Sequence, residues 1–95
     1  MIYESMGLTP FGQGATAINE GWVMKDGRLP VNPSGGLKAK GHPVGATGVS
    51  MHVMAARQLL NAAGGCQIDD AHTGAVFNMG GLAVANYASL LQRVD

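Results

Sequence analysis

Up to Leu29 the apolar positions come in short clusters cut by glycine. Met1 to Met6 reads as the tail of a helix closed by Gly7, followed by a loop through Thr9-Pro10, Gly12 and Gly14. Ala15 to Glu20 allows one or two helical turns before Gly21. Trp22 to Leu29 holds Lys25-Asp26-Gly27, and Asp-Gly is a favoured turn pair between two short extended pieces. The one long helical period runs from Val44 to Ala63, where Ala, Val, Met and Leu dominate and Ser50, His52, Arg57, Gln58 and Asn61 are interspersed. Gly64-Gly65 supplies a left-handed cap for it. Gly45, Gly48 and Ala55 would let neighbouring backbone approach closely, which predicts a buried layer helix rather than a surface one. Thr73 to Asn78 is a short apolar strand, Gly80-Gly81 a tight break, and Leu82 to Leu91 a second strand apolar on both faces. The pattern predicts an α/β chain in which one long helix precedes an antiparallel hairpin.

Between the short clusters and the long helix lies Val31 to Gly48, VNPSGGLKAKGHPVGATG, with five glycines, two prolines, two lysines and a single histidine. A residue before proline is pushed out of the helical region, so Pro43 should hold His42 on a loop. Proline is tolerated near a helix start because its missing N–H would be unpaired there, which puts His42 just outside a helix N-terminus. Lys38 and Lys40 fall on the same loop; flexible loop lysines read first as solvated charges. A phosphate-cradling loop needs G-x-x-x-x-G-K-S/T, but Gly36 to Gly41 is followed by His42 and Pro43, and no G-x-G-x-x-G follows a strand. Neither nucleotide motif is present.

Composition narrows the picture further. Ninety-five residues make one lean domain at most. With 46% hydrophobic and 13% charged residues the chain is too apolar for disorder and short of charge to solvate a free surface, so part of that surface should be buried against something else. The formal net charge is zero, which gives no basic field for nucleic acid and no polybasic patch for a membrane. No apolar run approaches the ~18 residues of a membrane span and no N-terminal export signal is seen, so the expectation is a soluble, cytoplasmic protein. Cys66, the sole cysteine, cannot form an intrachain disulfide and follows a helix end, without the electropositive setting a nucleophilic thiol needs. Asp69, Asp70 and His72 lack further ligands at suitable spacing, so they read as a solvated turn and no metal site is expected. Trp22, the sole tryptophan, reads as packing under the turn beside it.

At N-P-S-G-G-x-x-x-x-G-H-P-x-G-A-T-G, residues 32–48, the chain resembles the signature of the C-terminal half of thiolases, most closely the sterol-carrier-protein-type branch. The preceding YESMGLTPFGQGA and the later FNMGG are similar to what that branch carries around the signature. The resemblance implies the last part of a layered α/β thiolase half: a long helix on a mixed sheet, of which this chain supplies the final antiparallel pair. It implies that residues 1–95 are a C-terminal fragment whose upstream part, bearing the nucleophilic cysteine, lies outside the sequence, so that the isolated chain is expected to be inactive. The parent activity would be thiolysis of 3-oxoacyl-CoA or the reverse Claisen condensation, within lipid metabolism. His42 would activate the upstream thiol and donate a hydrogen bond to the thioester oxygen, and the Gly80 N–H would serve a second oxyanion site. Coenzyme A and acyl-CoA would be substrates, Lys38 and Lys40 could attract their phosphates, and no permanent cofactor is implied; a homo-oligomer is. In the thiolase pattern the loop equivalent to Phe77-Asn78-Met79-Gly80 is Cys-x-Gly; its cysteine position falls on Asn78, which cannot act as an acid or base, and the branch typically shows a histidine where Phe77 stands. Two further readings stay open on that departure: a thiolase-like aldolase working with a partner protein, and a non-catalytic chain using the fold for assembly. His52, inside the helix, is expected to be dispensable for chemistry.

Overall fold

The computed structural model describes residues 1–94. The chain divides into two compact units, Met1–Ser34 and Gly35–Asp95.

In the first unit, α1 (Ile2–Ser5) and α2 (Gly14–Asn19) pack on each other around the fully buried Ala17. Both helices end in the same way. The Gly7 and Leu8 N–H groups donate to the Glu4 and Tyr3 carbonyls, and the Gly21 and Trp22 N–H groups to those of Ile18 and Ala17. These are paired left-handed terminations that need φ of +83° at Gly7 and +73° at Gly21, which glycine adopts without steric cost. The Glu4 carboxylate holds the intervening loop, accepting from Gly12 N–H at 2.9 Å and Gly14 N–H at 3.1 Å. Chiefly because of the Gly12 N–H, and against some desolvation, its pKa is held below the ordinary carboxylate value.

Trp22 to Leu29 departs from the expected pair of extended pieces: the residues form consecutive turns and no strand. Only Leu29 N–H to Trp22 C=O (2.9 Å) and Val31 N–H to Val23 C=O (3.0 Å) tie the ends together. Pro30 stands between those two donors and has none of its own, so no ladder can continue. The turn at Asp26-Gly27 is real, and a Cβ on Gly27 would overlap the Trp22 carbonyl. The Trp22 ring carries the Arg28 guanidinium 4.2 Å from its centroid.

In the second unit, α3 (Gly36–Lys40) leads through a loop to α4 (Thr47–Leu59), a short 3-10 turn (Gly64–Cys66), β1 (Thr73–Gly80) and β2 (Ala85–Gln92). Lys38 and Lys40 therefore lie in the last turn of a short helix rather than on a loop. The long helix is shorter than its apolar pattern: Val44 to Ala46 form a turn, and the chain leaves the helix at Leu60. Its closing left-handed residue is Asn61 (φ +58°), not the glycine pair. The Asn61 and Ala62 N–H groups donate to Gln58 and Arg57, the same termination made by Gly7 and Gly21. Asparagine tolerates this conformation better than other residues with a side chain.

β1 and β2 pair antiparallel from Thr73 opposite Gln92 to Gly80 opposite Ala85. The hairpin is as expected, but β1 runs on to Gly80 and β2 starts only at Ala85. Leu82 to Val84, read as strand because they are apolar, sit in the reversing turn with positive φ at Gly81 and Ala83. Gly74, Val76 and Asn78 alternate onto one face, where Gly74 meets Ala55 and Leu59 of α4. Leu59 and Val76, each worth about 1.5–3 kcal/mol by burial, are buried and form the small core with Ala63. The opposite face, with Ala75, Phe77 and Met79 beside Ala88 and Leu90, is uncovered; Leu90 is 82% exposed. α4 buries only Thr47 and Leu59, and Val49 and Val53 are exposed. It is thus not buried on all sides here, because a two-stranded hairpin can cover one face of a helix and no more.

Candidate active site

The loop that carries His42 is built by its neighbours. Gly41 (φ +84°, ψ 176°) ends α3, its N–H donating to Leu37 at 2.7 Å, and swings the chain away from the helix. Pro43 then disfavours a helical backbone at His42, which lies outside both helices, and the Pro43 carbonyl accepts the N–H groups of Ala46 (2.8 Å) and Thr47 (3.0 Å), which starts α4. His42 is exposed and lies ahead of that helix start, as its place before a proline requires.

The ring is not free to rotate. His42 Nδ1 lies 2.6 Å from Thr47 Oγ1, and that hydroxyl lies 3.1 Å from the Pro43 carbonyl oxygen. Thr47 is 4% exposed, so the anchor is buried while Nε2 makes no hydrogen bond among the described residues. Sequence reasoning missed Thr47. A threonine four residues after a proline that starts a helix is the available signal, because such a side chain reaches back to the i−4 carbonyl.

Gly80 ends β1 opposite Ala85, and its carbonyl accepts the Val84 N–H at 3.1 Å. Asn78, two residues earlier, points to the face that α4 covers: a Cβ on Gly48 would lie 3.2 Å from Asn78 Nδ2. Gly48 follows Thr47, so the anchor of His42 and the end of β1 meet at one end of the helix–sheet pair. Among the described residues no hydrogen bond joins His42 to Asn78 or Gly80. Phe77 faces the other side of the sheet and is 44% exposed.

The remaining candidates sit elsewhere. Cys66 is at the far end of α4, about 20 Å along a 13-residue helix at 1.5 Å per residue. Its thiol donates to Ala63 C=O at 3.2 Å, and its carbonyl accepts from Gln58 Nε2 at 2.7 Å. His72 Nε2 and Asp70 Oδ1 form an exposed pair at 3.5 Å, and among the described residues no three His, Cys, Asp or Glu side chains converge on one point. His52 does more than fill a helix position: Nδ1 donates to the Gly48 carbonyl at 2.7 Å and Nε2 lies 2.9 Å from Ser89 Oγ on β2. No helix among the described residues is long and apolar enough to cross a membrane.

The sequence that carries these elements is similar to that of known proteins. Residues 1–93 match a family described as thiolase C-terminal domain-like. An acetyl-CoA acetyltransferase of Methanothermobacter thermautotrophicus is 45% identical over 81 residues, 85% of this chain and 21% of that protein. Sterol carrier protein 2 of Homo sapiens is 42% identical over 80 residues, 84% of this chain and 15% of the relative. A benzoylsuccinyl-CoA thiolase subunit of Thauera aromatica is 33% identical over 69 residues, 73% of this chain and 18% of the subunit. The chain thus spans about a fifth or less of these relatives' length. With its glycine-flanked histidine loop, its helix and its closing hairpin all inside the matched span, the chain belongs to the thiolase C-terminal domain-like family.

Proposed function

We propose that residues 1–95 are the C-terminal catalytic part of a thiolase-like acyltransferase acting on acyl-CoA, by 3-oxoacyl-CoA thiolysis or Claisen condensation. The observation that carries this reading is the His42 loop: an exposed imidazole tethered at Nδ1, with Nε2 unpartnered, on a glycine-flanked turn where a substrate can approach closely. His42 takes the proton of a cysteine thiol supplied by the upstream part; the thiolate attacks the thioester carbon while the protonated ring donates to the thioester oxygen, and the acyl–sulfur bond to coenzyme A then breaks, its sulfur leaving with the proton that the ring returns. The Gly80 N–H is the donor of a second oxyanion site. Coenzyme A enters and leaves as substrate, the cofactor need is otherwise nil, and the working enzyme is a homo-oligomer. The names of the acetyltransferase and thiolase relatives support this chemistry.

A second reading, carbon–carbon cleavage by a thiolase-like aldolase with a partner protein, draws on one specific feature. Asn78 stands where the thiolase pattern has an acid–base cysteine, and it can neither give nor take a proton at neutral pH.

The test is His42→Ala in the enzyme that carries this chain together with its upstream cysteine, followed by coenzyme A consumption and acyl-CoA formation. Loss of a positioned base costs about 10²–10⁴-fold in turnover, and retention of more than about a tenth of wild-type turnover would overturn the assignment. Product analysis separates the second reading, which yields a free aldehyde or ketone and no acyl transfer to coenzyme A.

A further inference from the structure

The contacts around His42 hold more than a tether. Two short polar contacts meet at one hydroxyl: Thr47 Oγ1 to His42 Nδ1 at 2.6 Å and Thr47 Oγ1 to Pro43 O at 3.1 Å. A threonine hydroxyl has a single proton, and a carbonyl oxygen has none. If that proton pointed at Nδ1, the hydroxyl and carbonyl oxygens would face each other with no hydrogen between them. If it pointed at the carbonyl while Nδ1 were bare, the 2.6 Å contact would hold two lone pairs. Only one arrangement puts a proton in each contact: Thr47 O–H donates to the Pro43 carbonyl, and His42 Nδ1–H donates to Thr47 Oγ1. Thr47 is the first residue of α4 and is buried, so neither solvent nor rotation readily offers the hydroxyl another geometry.

From this count, and resting on the acyltransferase reading of His42, we infer that Thr47 is a positioning residue that fixes the neutral His42 ring as the Nδ1–H tautomer, leaving Nε2 as the atom that gains and loses the proton. The Nδ1–H bond to Thr47 is the same in imidazole and imidazolium. The ring can therefore accept the thiol proton at Nε2 and return it without breaking its anchor, and no reorganisation accompanies the transfer. Thr47 touches neither substrate nor the reacting atoms. Its effect is exerted entirely through His42.

Thr47→Val keeps the shape and removes the acceptor, while Thr47→Ser keeps the acceptor. Both are made in the enzyme that contains the upstream cysteine, with His42→Ala as reference. The ring nitrogens of His42, assigned by the loss of their signals in His42→Ala, are read by ¹⁵N NMR over a pH series, alongside the pH profiles of kcat and kcat/KM. Expected in the wild type is a protonated Nδ1 and a titrating Nε2. In Thr47→Val the proton redistributes toward Nε2, kcat falls at least about tenfold with KM little changed, within the range of a mispositioned base, and Thr47→Ser restores both tautomer and rate. An Nε2–H tautomer in the wild type overturns the inference even if Thr47→Val fails to fold. So does a Thr47→Val enzyme that keeps the wild-type ¹⁵N pattern and rate while His42→Ala is inactive, an outcome that leaves the function of His42 standing. If His42→Ala is itself fully active, the acyltransferase reading falls and the tautomer stands or falls on the spectra alone.

Discussion

His52 Nε2 and Ser89 Oγ lie 2.9 Å apart and link the middle of α4 to β2, across residues 37 positions distant in the chain. Because His52 Nδ1 must donate to the Gly48 carbonyl, Nε2 of the neutral ring is an acceptor and the Ser89 hydroxyl is the donor. Val76, the partner of Ser89 in the sheet, lies in the buried core beneath them. The pair is a polar clamp at the edge of a very small apolar layer. His52→Leu should lower stability by about 1–3 kcal/mol and Ser89→Ala by a similar or smaller amount, the double variant costing less than their sum. Thermal unfolding of the three variants measures the coupling, and additive losses would show that the two side chains act independently. Activity per folded molecule should remain near that of the wild type, since neither group belongs to the His42 loop.

Gly80→Val should depress turnover more than Met79→Leu. Met79 faces the uncovered side of the sheet, where one apolar side chain replaces another freely, whereas a Cβ on Gly80 would lie 3.1 Å from the Ala85 carbonyl and obstruct close approach to its peptide. Equal activities in a coenzyme A consumption assay would mark Gly80 as a structural turn only. Circular dichroism of both variants tells a local loss of the donor from a loosened hairpin.

The Glu4 carboxylate gives the first unit a definite pH response. Its folded pKa lies below the unfolded one, mainly through the Gly12 N–H, so the ionised form is favoured by folding. Stability from this source is present above the ordinary carboxylate pKa of about 4.3 and is lost as pH falls through the lowered value. Glu4→Gln should flatten the acid limb of the unfolding curve of this unit. Trp22, the sole tryptophan, lies in the same unit, so its fluorescence reads the transition directly. An unchanged acid limb in Glu4→Gln would place the acid sensitivity elsewhere.

Asn61 closes α4 at φ +58°, a conformation that costs a residue with a side chain roughly 1–2 kcal/mol. Asn61→Gly should leave stability unchanged or raise it by up to about 1 kcal/mol, and Asn61→Ala should lower it by about 1 kcal/mol. Denaturant midpoints of the two variants, moving in opposite directions, check this. Movement in the same direction would mean that the Asn61 side chain, not its backbone, matters.

What is legible in the sequence is what neighbouring residues decide between themselves. Gly7 and Gly21 stop their helices, Pro43 holds His42 off α4, and the apolar runs flanking Gly80-Gly81 form a hairpin, each for a reason contained within a few residues. Asn61 was hidden because the glycine pair behind it is the stronger left-handed signal, yet two hydrogen bonds to Gln58 and Arg57 end the helix before that pair is reached. Leu82 to Val84 were hidden by their hydrophobicity, which says nothing about a turn that leaves them exposed. Trp22 to Leu29 form no ladder because Pro30, just beyond the Asp26-Gly27 turn, has no N–H to continue one. The placement of His42 on a loop ahead of α4 is legible from its flanking glycine and proline. The contacts of Thr47 and, away from that loop, of His52 are not, because they are distances to His42 Nδ1 and to Ser89 that only the folded chain creates.

The two histidine anchors of the second unit differ in how much of the chain they span. α4 leads through residues 60–72 into β1, and β1 reverses through Gly81 to Val84 into β2, so each element packs on the one that follows it in the chain. Local pairings of this kind close early: helical turns in roughly 0.1–1 μs and hairpins in about 1–10 μs. The His42 to Thr47 bond spans five residues and needs only the first turn of α4, whereas the His52 to Ser89 bond must wait for the hairpin to dock. The orientation of the His42 ring therefore rests on contacts within residues 42–47, whereas that of His52 rests on a strand that arrives from 37 residues away.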